Sequence, residues 1–376
     1  MKFFHLSDLH LGKRLNEFSM IEDQRYILKE ILTVINKEKP DGILIAGDVY
    51  DRSIPSEDAM KLWDEFLISL AEKKIPVFAI SGNHDSAIRF SDHGELVDVT
   101  GIHLSPVFDG NTKCFRLTGK EVSVNIYMLP FIKPAVVKSI FPDEEIYDYT
   151  DACRVAINHM NIDTNETNIL IAHQFVTGAT RCESEEIVVG GLDNVDASVF
   201  DDFDYVALGH IHGKQTIGKE TIRYCGTPLK YSFSEKDHQK TITVLNIDKK
   251  GEIIIDEIPL TPMHDLREIK GSYAELTAKK NYENTNTDDY IHAVLTDEND
   301  VIDAVGKLRV IYPNLMKLSY DNARTKEQRE VTDIENIEHK SPIELFEEFY
   351  EKQNNVAMSD EQREFVIECI EAIWEA

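Results

Sequence analysis

No stretch of the sequence approaches the roughly 18 apolar residues that a membrane-spanning helix requires, so a helical membrane protein is excluded. The opening Met1-Lys2-Phe3-Phe4-His5 passes straight into polar residues with no apolar leader core, which predicts a cytoplasmic protein. Cysteine is scarce: Cys114, Cys153, Cys182, Cys225 and Cys369 make five, an odd number with no Cys-x-x-Cys pair. That argues against a disulfide framework and a thiolate zinc site, and for reduced, mostly buried thiols. Basic charge is short too. Forty Lys and Arg stand against 68 Asp and Glu, for a net charge of −28. Such a chain is not a nucleic-acid coat protein and does not grip DNA tightly and non-specifically by itself. A nucleic-acid enzyme stays open, because bound divalent cations add local positive charge. Internal repeats and low-complexity segments are absent.

What is present is 376 residues, 42% hydrophobic, enough for two or three units with a sizeable core. To about residue 262, short β-rich apolar runs alternate with amphipathic helical stretches, the pattern of an α/β fold. The runs at 42–46, 75–80, 169–172 and 205–208 fit strands buried on both faces. Leu28, Ile31, Leu32 and Ile35 repeat at helical spacing and read as core. Leu62, Trp63, Phe66, Leu67 and Leu70 also repeat, as core or interface. After Pro259 and Pro262 the texture changes. Strands are predicted at Leu266–Lys270, Tyr290–Leu295 and Leu315–Tyr320, with helices at Ser272–Lys279 and Asp300–Val310. Together they make a small α+β domain over 263–322. Residues 323–340 read as a polar linker. From Ser341 the chain is helical, with a capping box at Ser341-Pro342-Ile343-Glu344. Its stripes are Leu345, Phe346, Phe349 and Tyr350, then Phe365, Val366, Cys369, Ile370, Ile373 and Trp374. Docking on a partner is the preferred reading of this tail over an internal helix pair.

Five polar motifs each follow a strand-like run: Asp8-Leu9-His10, Gly47-Asp48, Gly82-Asn83-His84-Asp85, His173, and Gly209-His210-Ile211-His212. Ligands of open α/β sheets bind beyond the carboxyl ends of strands, so five strands would deliver these side chains to one edge. Carboxylates, an amide oxygen and imidazoles with no thiolate suit a pair of divalent cations, manganese or iron above structural zinc. Two ions about 3.5–4 Å apart stabilise both attacking and leaving oxygens of a displacement at phosphorus. Asp48 is the candidate bridging carboxylate. The glycines at 47, 82 and 209 would let the backbone turn tightly beside the ions. The bland alternative is that Asp and Asn cap helices while His fills polar pockets. That reading is kept for His5, His93, His103, His159, His238, His264, His292 and His339. Gly226-Thr227-Pro228 reads equally as an ordinary tight turn.

In that order the motifs resemble the calcineurin-like metallophosphoesterase signature. The stretches His5–Gly12, Gly47–Asp51, Ser81–Ser86 and Tyr224–Ser232 are similar to its SbcD branch, over nearly the whole chain. The resemblance implies an α/β fold whose β-sandwich core is flanked by helices. It also implies a nuclease domain over 1–262, a DNA-capping domain over 263–322 and a tail over 341–376 that binds the ATPase partner. It assigns Asp8, His10 and His212 to one metal and Asn83, His173 and His210 to the other, with Asp48 shared. His84 is implied as catalytic, standing over the scissile phosphate. Asp51 and Arg89 are candidate substrate residues, although relatives outside bacteria carry His where this chain has Asp51. The implied activity is manganese-dependent, with magnesium or iron as alternatives: exonuclease on duplex DNA ends and endonuclease on single strands and hairpins, in DNA repair, recombination and replication. The implied partners are DNA and the SbcC coiled-coil ATPase. A homodimer formed through segments such as Met60–Leu70 or Ser86–Val97 would complete a heterotetramer. The alternatives are a small-molecule phosphodiesterase on the same two-metal core and a non-catalytic scaffold. The extra domain and tail speak against the first, and the complete ligand set against the second.

Overall fold

The computed structural model describes residues 1–92, 94–185 and 193–323, with scattered positions between 343 and 366. The predicted linker beyond Ala323, most of the helical tail, His93, His339 and Cys369 lie outside the described residues. By packing, the chain forms two units. One holds Met1–Lys270, Ala274–Val294 and Asp303–Ser319; the other holds Gly271–Tyr273, Leu295–Ile302 and Tyr320–Ala376.

In the first unit, β1 (Lys2–Leu6), β2 (Gly42–Ala46), β3 (Val77–Ile80) and β4 (Ile102–Leu104) lie side by side in parallel. A second sheet follows from β5 (Lys113–Thr118), β6 (Ser123–Met128), β7 (Thr167–His173), β8 (Tyr205–Gly209), β9 (Gln215–Ile217) and β10 (Lys219–Tyr224), in the order β9-β10-β8-β7-β6-β5. Its central strands β6, β7, β8 and β10 are parallel. The chain then returns to the first sheet as β11 (Thr241–Lys249) and β12 (Glu252–Pro259), which extend it antiparallel from β1. Each six-stranded sheet thus carries a parallel centre, which needs cover on both faces.

The cover explains the sequence pattern. Between the sheets, Phe3, Leu44, Phe78, Ile126, Ile171 and Ala207 form one continuous core. Every residue of β2, β3, β7 and β8 is buried, as the unbroken apolar runs predicted. Helices α1 (Ile21–Glu38) and α2 (Glu57–Glu72) cover the outer face of the first sheet with Leu28, Ile31, Ile35, Leu62, Trp63, Phe66 and Leu70. The second stripe is therefore core. Full burial of one such side chain stabilises by about 1.5–3 kcal/mol. Ser56 starts α2 by accepting from Ala59 N at 3.3 Å. Helices α3 (Pro134–Ile140) and α4 (Tyr149–Asn158) cover the second sheet, so the unit is a helix-flanked β-sandwich.

After residue 262 come strands β13 (Leu266–Gly271), β14 (Tyr290–Leu295) and β15 (Leu315–Tyr320), at the three places expected from the sequence. The intervening helices are shorter than predicted: Tyr273–Leu276, Lys279–Tyr282 and Ala304–Arg309. Leu266 and Tyr290 pack on Met20, and buried Asp23 of α1 accepts from Tyr290 Oη at 2.6 Å. Among the described cysteines all are free; Cys153 and Cys225 are buried, whereas Cys114 is exposed. The buried His5 shares a 3.0 Å hydrogen bond with Tyr205 Oη, a structural role as expected.

Candidate metal centre

The five motifs lie just past the carboxyl ends of β1, β2, β3, β7 and β8 or at their last residue. Adjoining strands hold them in register. Asp8 N donates to Gly47 O at 3.0 Å and His10 N to Asp48 O at 3.0 Å. His210 N donates to Asp8 Oδ1 at 3.0 Å, joining the two sheets at this edge. Asp8 (φ 53°), His10 (φ 43°), Asp48 (φ 50°) and His210 (φ 98°) all have left-handed backbones. Each such residue costs of order 1–3 kcal/mol, and such strain collects at functional sites. The glycines answer a demand for space beyond tight turning. A Cβ on Gly82 would stand 2.1 Å from Asp48 Oδ1, and one on Gly209 1.8 Å from Ala46 O.

The eight side chains fall into two groups around Asp48. In one, His10 Nε2 and His212 Nε2 stand 3.1 Å apart, with Asp8 beside them. In the other, Asn83 Oδ1 lies 3.0 Å from His173 Nε2 and 2.8 Å from His210 Nδ1. Asp48 Oδ2 is 3.7 Å from His10 Nε2 and 3.3 Å from His173 Nε2, between the two. His84 Nε2 lies 4.0 Å from the same oxygen.

Proton positions show what such crowding lacks. Ser184 Oγ donates its single proton to Glu235 Oε1 at 2.6 Å, so its 2.7 Å contact with His212 must be accepted from Nδ1–H. His212 Nε2 is then a bare lone pair aimed at His10 Nε2. His173 Nδ1–H donates to Ala46 O at 2.7 Å, which turns its Nε2 toward the oxygens of Asn83 and Asp48. Lone pairs brought this close repel unless a proton or a metal cation sits among them. The titration behaviour agrees. Burial pushes Asp8 up to about 8. Burial pulls His10 and His210 down, and His212 to about 3. Burial also works against Asp48 and His173, but their mutual attraction wins: Asp48 is held below the usual carboxylate range and His173 is pushed up to about 9. A proton on His173 supplies the charge that a divalent ion would otherwise bring. The oxygen and nitrogen donors fit two divalent cations.

Sequence reading gave no role to the residues behind the donors, although Asp85 stands in one of the five motifs. Asp85 accepts from Gly82 N at 2.9 Å, Tyr50 N at 2.9 Å and Val49 N at 3.1 Å, tying the β2 and β3 loops together. Buried Glu235 and Lys240 pair at 2.5 Å behind His212. Nothing in Cys182-Glu183-Ser184-Glu185 or Ser234-Glu235-Lys236 distinguishes these acids from solvated ones. Gly226-Thr227-Pro228 has a local reason: Gly226 has φ +76°, and a Cβ there would stand 2.6 Å from His212 O.

Of the two candidate substrate residues, Asp51 reaches the cluster. Its carbonyl lies 3.0 Å from His84 Nδ1, and its carboxylate lies 3.6 Å from His10 Nδ1 and 2.8 Å from Lys13 Nζ. Arg89 sits on the exposed side of the short helix Ala87–Ser91, and among the described residues no side-chain bond joins it to the cluster.

Residues 1–214 match the calcineurin-like phosphoesterase family, and residues 262–354 match the type 5 capsule protein repressor C-terminal domain family. The SbcD subunit of the SbcCD nuclease of Staphylococcus epidermidis is 35% identical over 350 residues, 90% of this chain and 92% of the relative. Two solved structures align at low identity. TT1561 of Thermus thermophilus is 13% identical with a TM-score of 0.40, covering 68% of this chain and 98% of that one. A dimetal phosphatase from Danio rerio is 9% identical with a TM-score of 0.46, covering 70% and 98%.

Proposed function

The chain belongs to the calcineurin-like phosphoesterase family and within it to the SbcD-type nucleases, and we propose that it is a manganese-dependent enzyme that degrades duplex DNA from its ends and cuts single strands and hairpins. As a family member it is a metal-dependent phosphodiester hydrolase. The observation that carries the finer reading is the convergence of imidazole nitrogens on carboxylate and amide oxygens, with Asp48 Oδ2 between the two groups. Asp8, His10 and His212 would hold one ion, Asn83, His173 and His210 the other, and Asp48 both.

Bound there, two ions supply positive charge for the phosphoryl oxygens and make water acidic enough to attack at neutral pH. His84 does the remaining work. Its Nδ1–H donates to Asp51 O at 3.0 Å, which aims Nε2 at the cluster. A proton on Nε2 then passes to the leaving oxygen. His84 N donates to Asp48 Oδ1 at 2.9 Å, so the same residue fixes the shared carboxylate. Residues 263–322 are proposed to cap the DNA, and 341–376 to dock on SbcC in a heterotetramer.

The test is cleavage of end-labelled duplex and hairpin DNA with manganese, magnesium or chelator, for the wild type and His84→Gln. Manganese-dependent cleavage that falls by roughly 10²–10⁴ in the variant, with metal still bound, supports the proposal. Equal rates would remove His84 from this role. No cleavage of any DNA by the metal-loaded wild type would refute the nuclease and favour a small phosphodiester substrate.

A further inference from the structure

We propose that Ser184 and the buried Glu235–Lys240 pair are positioning residues that make His212 a metal ligand; the inference rests on the two-metal reading above. His212 is held at three atoms besides Nε2. Its Nδ1–H donates to Ser184 Oγ at 2.7 Å, its backbone N–H to Glu185 Oε1 at 2.6 Å, and its carbonyl accepts from Lys240 Nζ at 2.9 Å. Glu235 is fully buried and saturated. Oε1 accepts from Ser184 Oγ at 2.6 Å, Tyr231 N at 3.2 Å and Ser232 Oγ at 3.2 Å, and Oε2 from Lys240 Nζ at 2.5 Å. Lys240 Nζ also donates to Thr227 Oγ1 at 2.7 Å.

The sense of these bonds is fixed from outside inward. The Lys240 ammonium has only donors, so it keeps Glu235 a carboxylate. That carboxylate takes the Ser184 proton, and the hydroxyl oxygen can then only accept from His212. The His212 tautomer with a free Nε2 is thus dictated by a charge two bonds away. Metal-binding His residues generally depend on such an outer partner, and losing it costs about 10–100-fold in affinity. His173 has its Nδ1–H fixed instead by a backbone carbonyl, Ala46 O, which truncating the side chain of Ala46 would not remove. The two groups of donors therefore differ: among the described residues, only the His10–His212 group depends on a replaceable hydroxyl.

Ser184→Ala should keep the fold, since it removes one atom from a half-buried loop residue. The experiment is titration calorimetry of the full chain with manganese, for the wild type, Ser184→Ala and Ser184→Thr, with Tm as a control. Two sites are expected in the wild type. In Ser184→Ala one of them should weaken by about 10-fold or more, with the other unchanged, and Thr should restore it. Two unaltered sites in Ser184→Ala would overturn the positioning role and leave the two-metal reading intact. Fewer than two sites in the wild type would overturn both.

Discussion

Gly209→Ala is the most stringent single-atom test of how the two sheets meet beneath the cluster. The added Cβ would lie 1.8 Å from Ala46 O, 2.9 Å from Ala46 C and 2.7 Å from His173 Nδ1. Two of these atoms are backbone, and the third is a ring pinned to Ala46 O. No rotamer change relieves the clash, so β2 and β8 must part by more than an ångström. They sit in a core where Leu44, Ala46, Ile171 and Ala207 are all 0% exposed, so the displacement spreads into close-packed neighbours. Overpacking of this kind costs about 1–3 kcal/mol. Loss of the His173–Ala46 hydrogen bond adds about 1 kcal/mol. Together they predict a loss of roughly 2–4 kcal/mol and a fall in Tm of about 5–15 °C. Thermal unfolding in chelator measures the packing and hydrogen-bond terms without metal, and manganese titration then reads the damage to His173. Gly94→Ala is the control: its Cβ would meet only Leu104 Cβ at 3.9 Å, and it should be neutral or stabilising by up to about 1 kcal/mol. A Gly209→Ala protein that melts within about a degree of wild type, with unchanged manganese affinity, would refute the argument.

Two further outcomes are expected. Lys240→Met leaves the fully buried Glu235 carboxylate without its cation and should lower stability by about 3–5 kcal/mol in urea unfolding, while replacing both residues with apolar ones should cost less; an innocuous single change would contradict the buried pair. Deleting residues 341–376 should spare metal-dependent cleavage and abolish capture of SbcC, and retained capture would disprove docking through the tail.

Legibility followed the range of the interactions. Strand burial could be read from apolar runs because a strand covered on both faces has no polar side to interrupt it, as β2 and β7 illustrate. The site motifs could be read because each closes a strand, so topology alone brings Asp8 and His210 to one edge although 202 positions separate them. The second helical stripe stayed ambiguous because periodicity reports an apolar face and not what covers it. In the structure Trp63, Phe66 and Leu70 face the sheet, while Ile68, on the opposite side, is 58% exposed. The residues behind the ligands were invisible for a different reason. Ser184, Glu235 and Lys240 acquire their roles only through burial and mutual contact, and a lone glutamate beside a lysine looks like any solvated pair. The helices after β13 are shorter than expected, and boundaries are what a local pattern reports least well.

The acidity of the chain bears on how a polyanion could be held at this edge. Lysines near the cluster in sequence look available, but Lys13 is paired with Asp51 at 2.8 Å, Lys230 with Asp265 at 2.8 Å and Lys236 with Glu268 at 2.7 Å. Lys214 and Arg223 share Glu257, and Arg181 is paired with Asp193. These pairs cancel the field that a free basic groove would project beyond a Debye length of about 8 Å at physiological salt. The donors, by contrast, gather the carboxyl groups of Asp8 and Asp48 in a buried pocket, where the Asp48 carboxylate holds a proton on His173 and pushes it up to about 9. Such a pocket has more use for cations than for phosphate. Attraction for a phosphodiester then follows the loading of the pocket instead of the composition of the chain, which is how a molecule of net charge −28 can be built to act on an anion.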